Sequence, residues 1–130
     1  MSDTELRARY LEYLACLNDR RWGDLGEFVA DQLTYNGNQL GCNDYRSMIE
    51  RDTDAAPDLC YTPELIVVDG DVLACRLYFR CHPQRTFLGL VPSGGALSFA
   101  EHVFYRFADL KIVEVWSLID KEAVRAQIGG

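Results

Sequence analysis

The sequence predicts an α+β domain in which N-terminal helices pack on a strongly bent, mostly antiparallel sheet. Three observations carry this. Up to about residue 56 the apolar residues recur at intervals of three and four, the period of a helix. From Tyr61 onward they fall in segments rich in Val, Ile, Leu, Phe and Tyr. Turn signals at Asp69-Gly70, Pro83, Pro92-Ser-Gly-Gly95 and Asp109 cut that second half into strand-length pieces. Helices first and strands afterwards is the α+β order.

Ser2-Asp-Thr-Glu5 has the form of a capping box, and Leu6, Tyr10, Tyr13, Leu14 and Leu17 continue it as an apolar stripe to about Asn18. Trp22, Leu25, Phe28 and Val29 predict a second, shorter helix, Leu33 to Tyr35 a strand, and Asn36-Gly37 a turn. Asn43 is the expected N-cap of a third helix that puts Tyr45, Met48, Ile49 and Asp52 on one side and stops at Pro57. Strands are predicted at Tyr61 to Val68, Val72 to Cys81, Phe87 to Leu90, Leu97 to Phe107 and Lys111 to Leu118. A short helix over Lys121 to Ile128 then precedes a Gly129-Gly130 tail. Without repeats, low-complexity tracts or a linker, the 130 residues are expected to form one domain, large enough to bury a core without disulfides or metals.

The net charge of −7 repels phosphate backbones and anionic membranes, and the basic residues are dispersed. Nucleic acid is therefore not an expected partner, nor is a membrane. No segment approaches the ~20 apolar residues of a span, and the N-terminus lacks a signal-peptide pattern, so a cytoplasmic protein is expected. Five cysteines with no C-x-x-C read as reduced packing thiols. A nucleophilic Cys81 beside His82 is disfavoured because strand neighbours face opposite ways.

The last two strands alternate: Glu101, Val103, Tyr105 and Phe107 against His102, Phe104 and Arg106, then Val113, Val115, Ser117 and Ile119 against Ile112, Glu114, Trp116, Leu118 and Asp120. Both faces are too apolar to be left to water. One is expected to line a cavity under the helices, with Glu101, Ser117 or Asp120 as polar points; the alternative is an ordinary two-sided core. The other is expected to be covered by a second copy of the chain.

Four segments in order carry a resemblance over nearly the whole chain: Leu17 to Val29, Leu33-Thr-Tyr-Asn-Gly37, Phe79-Arg-Cys-His82 followed by Phe87-Leu-Gly-Leu-Val-Pro-Ser-Gly94, and Lys111 to Asp120. Together they resemble the SnoaL-like polyketide cyclase or ester cyclase branch of the cone-shaped NTF2-like fold. The resemblance implies a homodimer whose protomers each hold an apolar cavity for a small apolar or aromatic molecule. It also implies acid/base ring closure with no metal and no cofactor, led by an aspartate on the closing strand. That position falls on Ser117 here. The histidine and glutamine that assist it fall near Glu101 and Val103, or near His102 and Phe104 with a one-residue gap.

The proton-transfer group is therefore expected to be Glu101 or His102, only one of which an unbulged strand can turn inward. Glu101 turned inward acquires a raised pKa by desolvation; alternatively it pairs with Arg76 or Arg80. His102 is alternatively a structural or surface histidine, and His82 either edges the pocket mouth or is solvated. Asp120 either reaches the cavity or caps the last helix. The resemblance also lets Tyr35, Asn36 and Asp52 contribute polar groups to the cavity, while Tyr105 and Trp116 are expected in its wall and Ser117 contributes at most a hydrogen bond. His82, Glu101 and His102 as metal ligands are chemically allowed, but no spacing demands it and no metal is expected.

Overall fold

The computed structural model describes residues 2–128, so Met1 and the expected Gly129-Gly130 tail lie outside the described residues. Helix α1 spans Asp3–Asn18, and its first turn is closed by Ser2, whose hydroxyl accepts from the Glu5 backbone N–H at 3.1 Å. The stripe Leu6, Tyr10, Tyr13, Leu14 and Leu17 is buried as its spacing requires. The second predicted helix is a 3₁₀ segment, Trp22–Glu27. Gly23 and Gly26 inside it weaken a longer α-helix, and Val29 already belongs to a strand.

Strand β1 (Val29–Tyr35) begins earlier than Leu33, and Asn36 and Gly37, both at positive φ, turn it into the short strand β2 (Asn38–Gly41). Four residues of mostly polar character gave β2 no periodic signature. Helix α2 (Cys42–Ala55) is capped by Gly41 and not by Asn43, so it starts two residues earlier than the Asx-cap rule predicts. Strands β3 (Thr62–Asp69), β4 (Val72–Cys81), β5 (Leu97–Ala108) and β6 (Lys111–Ile119) and helix α3 (Lys121–Ile128) follow the predicted spans within one or two residues.

The predicted strand at Phe87 to Leu90 is absent: Phe87 and Leu90 pair only with each other across a tight turn, with Leu88 and Gly89 both at positive φ. Phe87 instead enters the core against Phe99, with ring centroids 5.9 Å apart.

The six strands form one mixed sheet in the order β2-β1-β6-β5-β4-β3, antiparallel except where β1 runs parallel to β6. Helices α1 and α2 pack on one face, where Tyr10 and Tyr13 meet Tyr105 and Tyr45 meets Tyr35. A register shift at the end of the last hairpin pairs Arg106 with Glu114 but Phe107 with Ile112. Val113 is thus the extra residue, and beyond it Ile112 turns to the inner face. Simple alternation groups Ile112 with Trp116 and Leu118, which the structure leaves on the outer face.

No described helix is long and apolar enough to cross a membrane. Cys16, Cys75 and Cys81 are buried and Cys42 half-buried, whereas Cys60 is exposed and so is not a packing thiol. Burial pushes the Cys81 thiol up to about 11, and it faces inward while His82 is exposed.

Candidate functional site

Between α1, α2 and the inner face of β4, β5 and β6 lies a cavity of about 80 Å³. Its floor is apolar and phenolic, with Tyr13, Tyr45, Tyr61 and Tyr105 buried beside Leu17, Leu77, Val103 and Val115. Its rim consists of the half-buried Tyr35, Met48, Asp52, Glu101 and Ile119. Ligand sites commonly enclose roughly 300–1,000 Å³. In this conformation the cavity is smaller than that range.

Glu101 enters the cavity with Val103 and Tyr105, whose face it shares, and the strand period therefore turns His102 outward. The Ser117 hydroxyl, opposite Val103 on β6, donates to Glu101 Oε2. Tyr35 borders the same cavity from β1, its register partner Val115 lying two residues before Ser117. Desolvation by the aromatic surroundings raises the Glu101 carboxyl above its usual range; the Ser117 hydrogen bond opposes this, and the charge of Asp52 adds to it. Among the described residues no arginine pairs with Glu101. Arg76 is taken by Glu64 at 3.0 Å and by His102 Nε2 at 2.7 Å, both on the outer side of the sheet.

Asp52 enters from the opposite wall. It lies on α2 one turn from Met48 and Ile49, the face that period 3.6 assigns to the cavity. Burial raises its carboxyl from 3.8 to about 6, against the pull of the neighbouring Arg51. Of the phenols, Tyr13 and Tyr45 join their hydroxyls at 2.7 Å, and Tyr10 donates to Tyr105 at 3.4 Å. Burial drives the phenols of Tyr13, Tyr45, Tyr61 and Tyr105 upward, so they are neutral donors at physiological pH.

The structure therefore brings Glu101, Tyr35, Asp52, Tyr105 and, through Glu101, Ser117 to one place. Other expected site residues sit elsewhere. His102 is exposed on the outer face, bonded to Arg76. His82 follows β4 in solvent, its Nδ1 2.8 Å from Asp58 Oδ2 and its backbone N–H donating to Asp58 Oδ1 at 2.9 Å. Trp116 is on the outer face under the Arg106 guanidinium, 5.4 Å from its ring centroid, because its parity along β6 is that of Leu118. Asn36 is occupied by the backbone of Ser117, donating to its carbonyl at 3.2 Å and accepting from its N–H at 2.8 Å. That doubly bonded amide fixes β1 to β6 at the height of the cavity and is a scaffold contact.

Asp120 is an exposed N-cap of α3, accepting the Ala123 N–H at 3.1 Å. Asp120→Ala is expected to cost about 1 kcal/mol, read as a lowered denaturant midpoint with turnover unchanged.

Tyr13, Tyr45 and Tyr61 were missed as cavity residues. Their helical or strand spacing marked them as core, and nothing local separates a core tyrosine from one whose hydroxyl borders a void.

A protein-family model described as SnoaL-like polyketide cyclase matches residues 7–128. Among solved structures, a SnoaL-like polyketide cyclase from Agrobacterium tumefaciens is 42% identical, with 94% of this chain and 96% of that chain covered and a TM-score of 0.89. AclR, a hydroxylase candidate from Streptomyces galilaeus, is 26% identical with 98% of each chain covered and a TM-score of 0.82. IdmH, a polyketide cyclase candidate from Streptomyces antibioticus, shares the fold at 21% identity, with 96% of this chain and 99% of that chain covered and a TM-score of 0.84. No protein of curated function matches the chain.

Proposed function

Because the chain belongs to the SnoaL-like polyketide cyclase family, we propose that it is a cofactor-free acid/base cyclase or isomerase for a small polyketide-like or cyclic ester substrate, with Glu101 as its proton-transfer group. The observation that carries this is the Glu101 carboxyl, turned into an aromatic cavity with a serine hydroxyl and no cation as its partner. A group in that setting titrates closer to neutrality than a solvated glutamate, as a general acid or base must. Ser117, at the position of the family's aspartate, holds Glu101 in place from the neighbouring strand. A holder of apolar ligands has no need of a desolvated carboxyl, and this favours the enzyme over a mere binding module.

The test is hydrogen–deuterium exchange at the α-carbon of cyclopentanone, a ketone small enough for the cavity, followed by proton NMR in D₂O. Acceleration by the wild-type chain and its loss in Glu101→Gln support the proposal; equal rates in both overturn it.

The outer face of the sheet supports a homodimer. Leu65, Val67, Tyr78, Phe104, Trp116 and Leu118 are all exposed there. Sedimentation at micromolar concentration is expected to give about twice the chain mass of 14.8 kDa, and Phe104→Glu with Leu118→Lys to return the monomer. A wild-type species of single-chain mass overturns the dimer.

A further inference from the structure

We propose that Asp52 is a second catalytic residue and that Asp52 and Glu101 work as a pair, one carboxylate taking a proton from substrate carbon while the other carboxylic acid protonates substrate oxygen. The proposal rests on the acid/base reading above and extends it to a residue otherwise read as a positioning group.

The geometry points to a pair. The two carboxyls reach the rim of one small cavity from opposite walls, Asp52 from helix α2 and Glu101 from strand β5. Substrate held between them has one on either side. Among the described residues neither forms an ion pair: Glu101 accepts from Ser117, and the charge acting on Asp52 from its own helix is Arg51.

The other ionisable groups facing them are phenols and a thiol: Tyr13 on α1, Tyr35 on β1, Tyr45 on α2, Tyr61 ahead of β3, Cys75 on β4 and Tyr105 on β5. Burial raises every one of these above its ordinary value, so all stay neutral where carboxyls ionise. The carboxyl pair is thus the unit that titrates in the cavity. Two like charges sharing one small, poorly solvated space resist double ionisation, and the Asp52 charge adds to the upward shift that desolvation gives the Glu101 carboxyl.

One shared proton closes a cycle without a cofactor. The ionised carboxyl removes a proton from the carbon beside a ketone or ester carbonyl, and the C–H electron pair becomes the C=C bond of the enol. The protonated partner delivers its proton to the carbonyl oxygen. When the enol carbon attacks a second carbonyl, its π pair forms the new C–C bond and its O–H proton returns to the partner. The new alkoxide takes the proton held by the first carboxyl, and the pair ends as it began. The substrate class is accordingly a molecule with an enolisable C–H and a second carbonyl within ring-closing reach.

Two measurements on the full chain test this. In carboxyl ¹³C NMR titrations, Asp52→Asn is expected to lower the Glu101 midpoint, and Glu101→Gln the Asp52 midpoint. In the cyclopentanone exchange assay the wild-type rate is expected to be bell-shaped in pD, with Asp52→Asn losing one limb and about tenfold or more of the maximal rate. Asp52→Glu, which keeps the carboxyl, is expected to restore the missing limb. Wild-type exchange with Asp52→Asn unchanged in rate and limbs overturns the pair and leaves Glu101 as the sole group. Independent midpoints also overturn the pair. No acceleration by the wild-type chain overturns the acid/base reading together with the pair.

Discussion

Glu101→Gln is expected to lower proton-transfer turnover by about 10²–10⁴-fold, the usual contribution of a positioned general acid or base. The substitution is nearly isosteric and retains an acceptor for the Ser117 hydroxyl, so the folded structure persists and KM changes little. His102→Ala, on the opposite side of the same strand, is expected to leave turnover within about twofold, because His102 is bonded to Arg76 in solvent and does not face the cavity. Ser117→Ala removes the hydroxyl that favours the charged form of Glu101 and shifts the corresponding limb of the pH profile upward. Steady-state kinetics on the three variants distinguish these cases. Full activity in Glu101→Gln removes the glutamate from the mechanism.

Asp52→Asn is expected to stabilise the fold at neutral pH while impairing turnover. The folded state holds the Asp52 proton more tightly than the unfolded chain does, with the carboxyl moved from 3.8 to about 6. Between about pH 4 and pH 6 the unfolded chain gives up this proton first, so wild-type stability falls across that window as pH rises. Above it the full cost of a desolvated charge is present. A fully screened-off group would lose about 3 kcal/mol; with part of Asp52 open to solvent the expected loss is nearer 1–2 kcal/mol. Asparagine carries no such charge, so the variant should melt roughly 3–8 °C higher at pH 7.5. The difference should vanish below about pH 3, where the aspartate is protonated in both states. Thermal melts at the two pH values measure it. A variant no more stable at pH 7.5 than the wild type means that the Asp52 charge is better solvated than its position on the cavity rim implies. Gain of stability with loss of activity is the pattern of a site whose strain serves function.

Much of the fold follows from local chemistry. The serine cap and the stripe from Leu6 to Leu17 specify α1 because a helix exposes one face per 3.6 residues. The Asn36-Gly37 and Asp109-Leu110 turns stand at positive φ, as their hairpins require. Period-2 alternation likewise placed Glu101 with Val103 and Tyr105. What it left open was which parity faced inward, since both faces of the hairpin are apolar. The helices decided that: Tyr10 and Tyr13 of α1 lie against Tyr105, so the odd residues of β5 line the cavity and the even ones, His102 and Phe104 among them, are left outside.

Three further outcomes depended on contacts far apart in sequence. The bulge at Val113 brings Ile112 inward, and no period-2 pattern contains a register shift. Asn36 is committed to Ser117, 81 positions away, and so is a fastener between strands instead of a ligand group. The meeting of Asp52 with Glu101 at one cavity needs α2 packed on β1 and β2 beside the inner face of β5; each residue alone is an ordinary acidic side chain. Residue type and spacing determined the elements and the supply of acidic groups. Only packing decided which of those groups share a cavity, because the desolvation and charge coupling that adapt a carboxyl to proton transfer arise between elements far apart in the sequence.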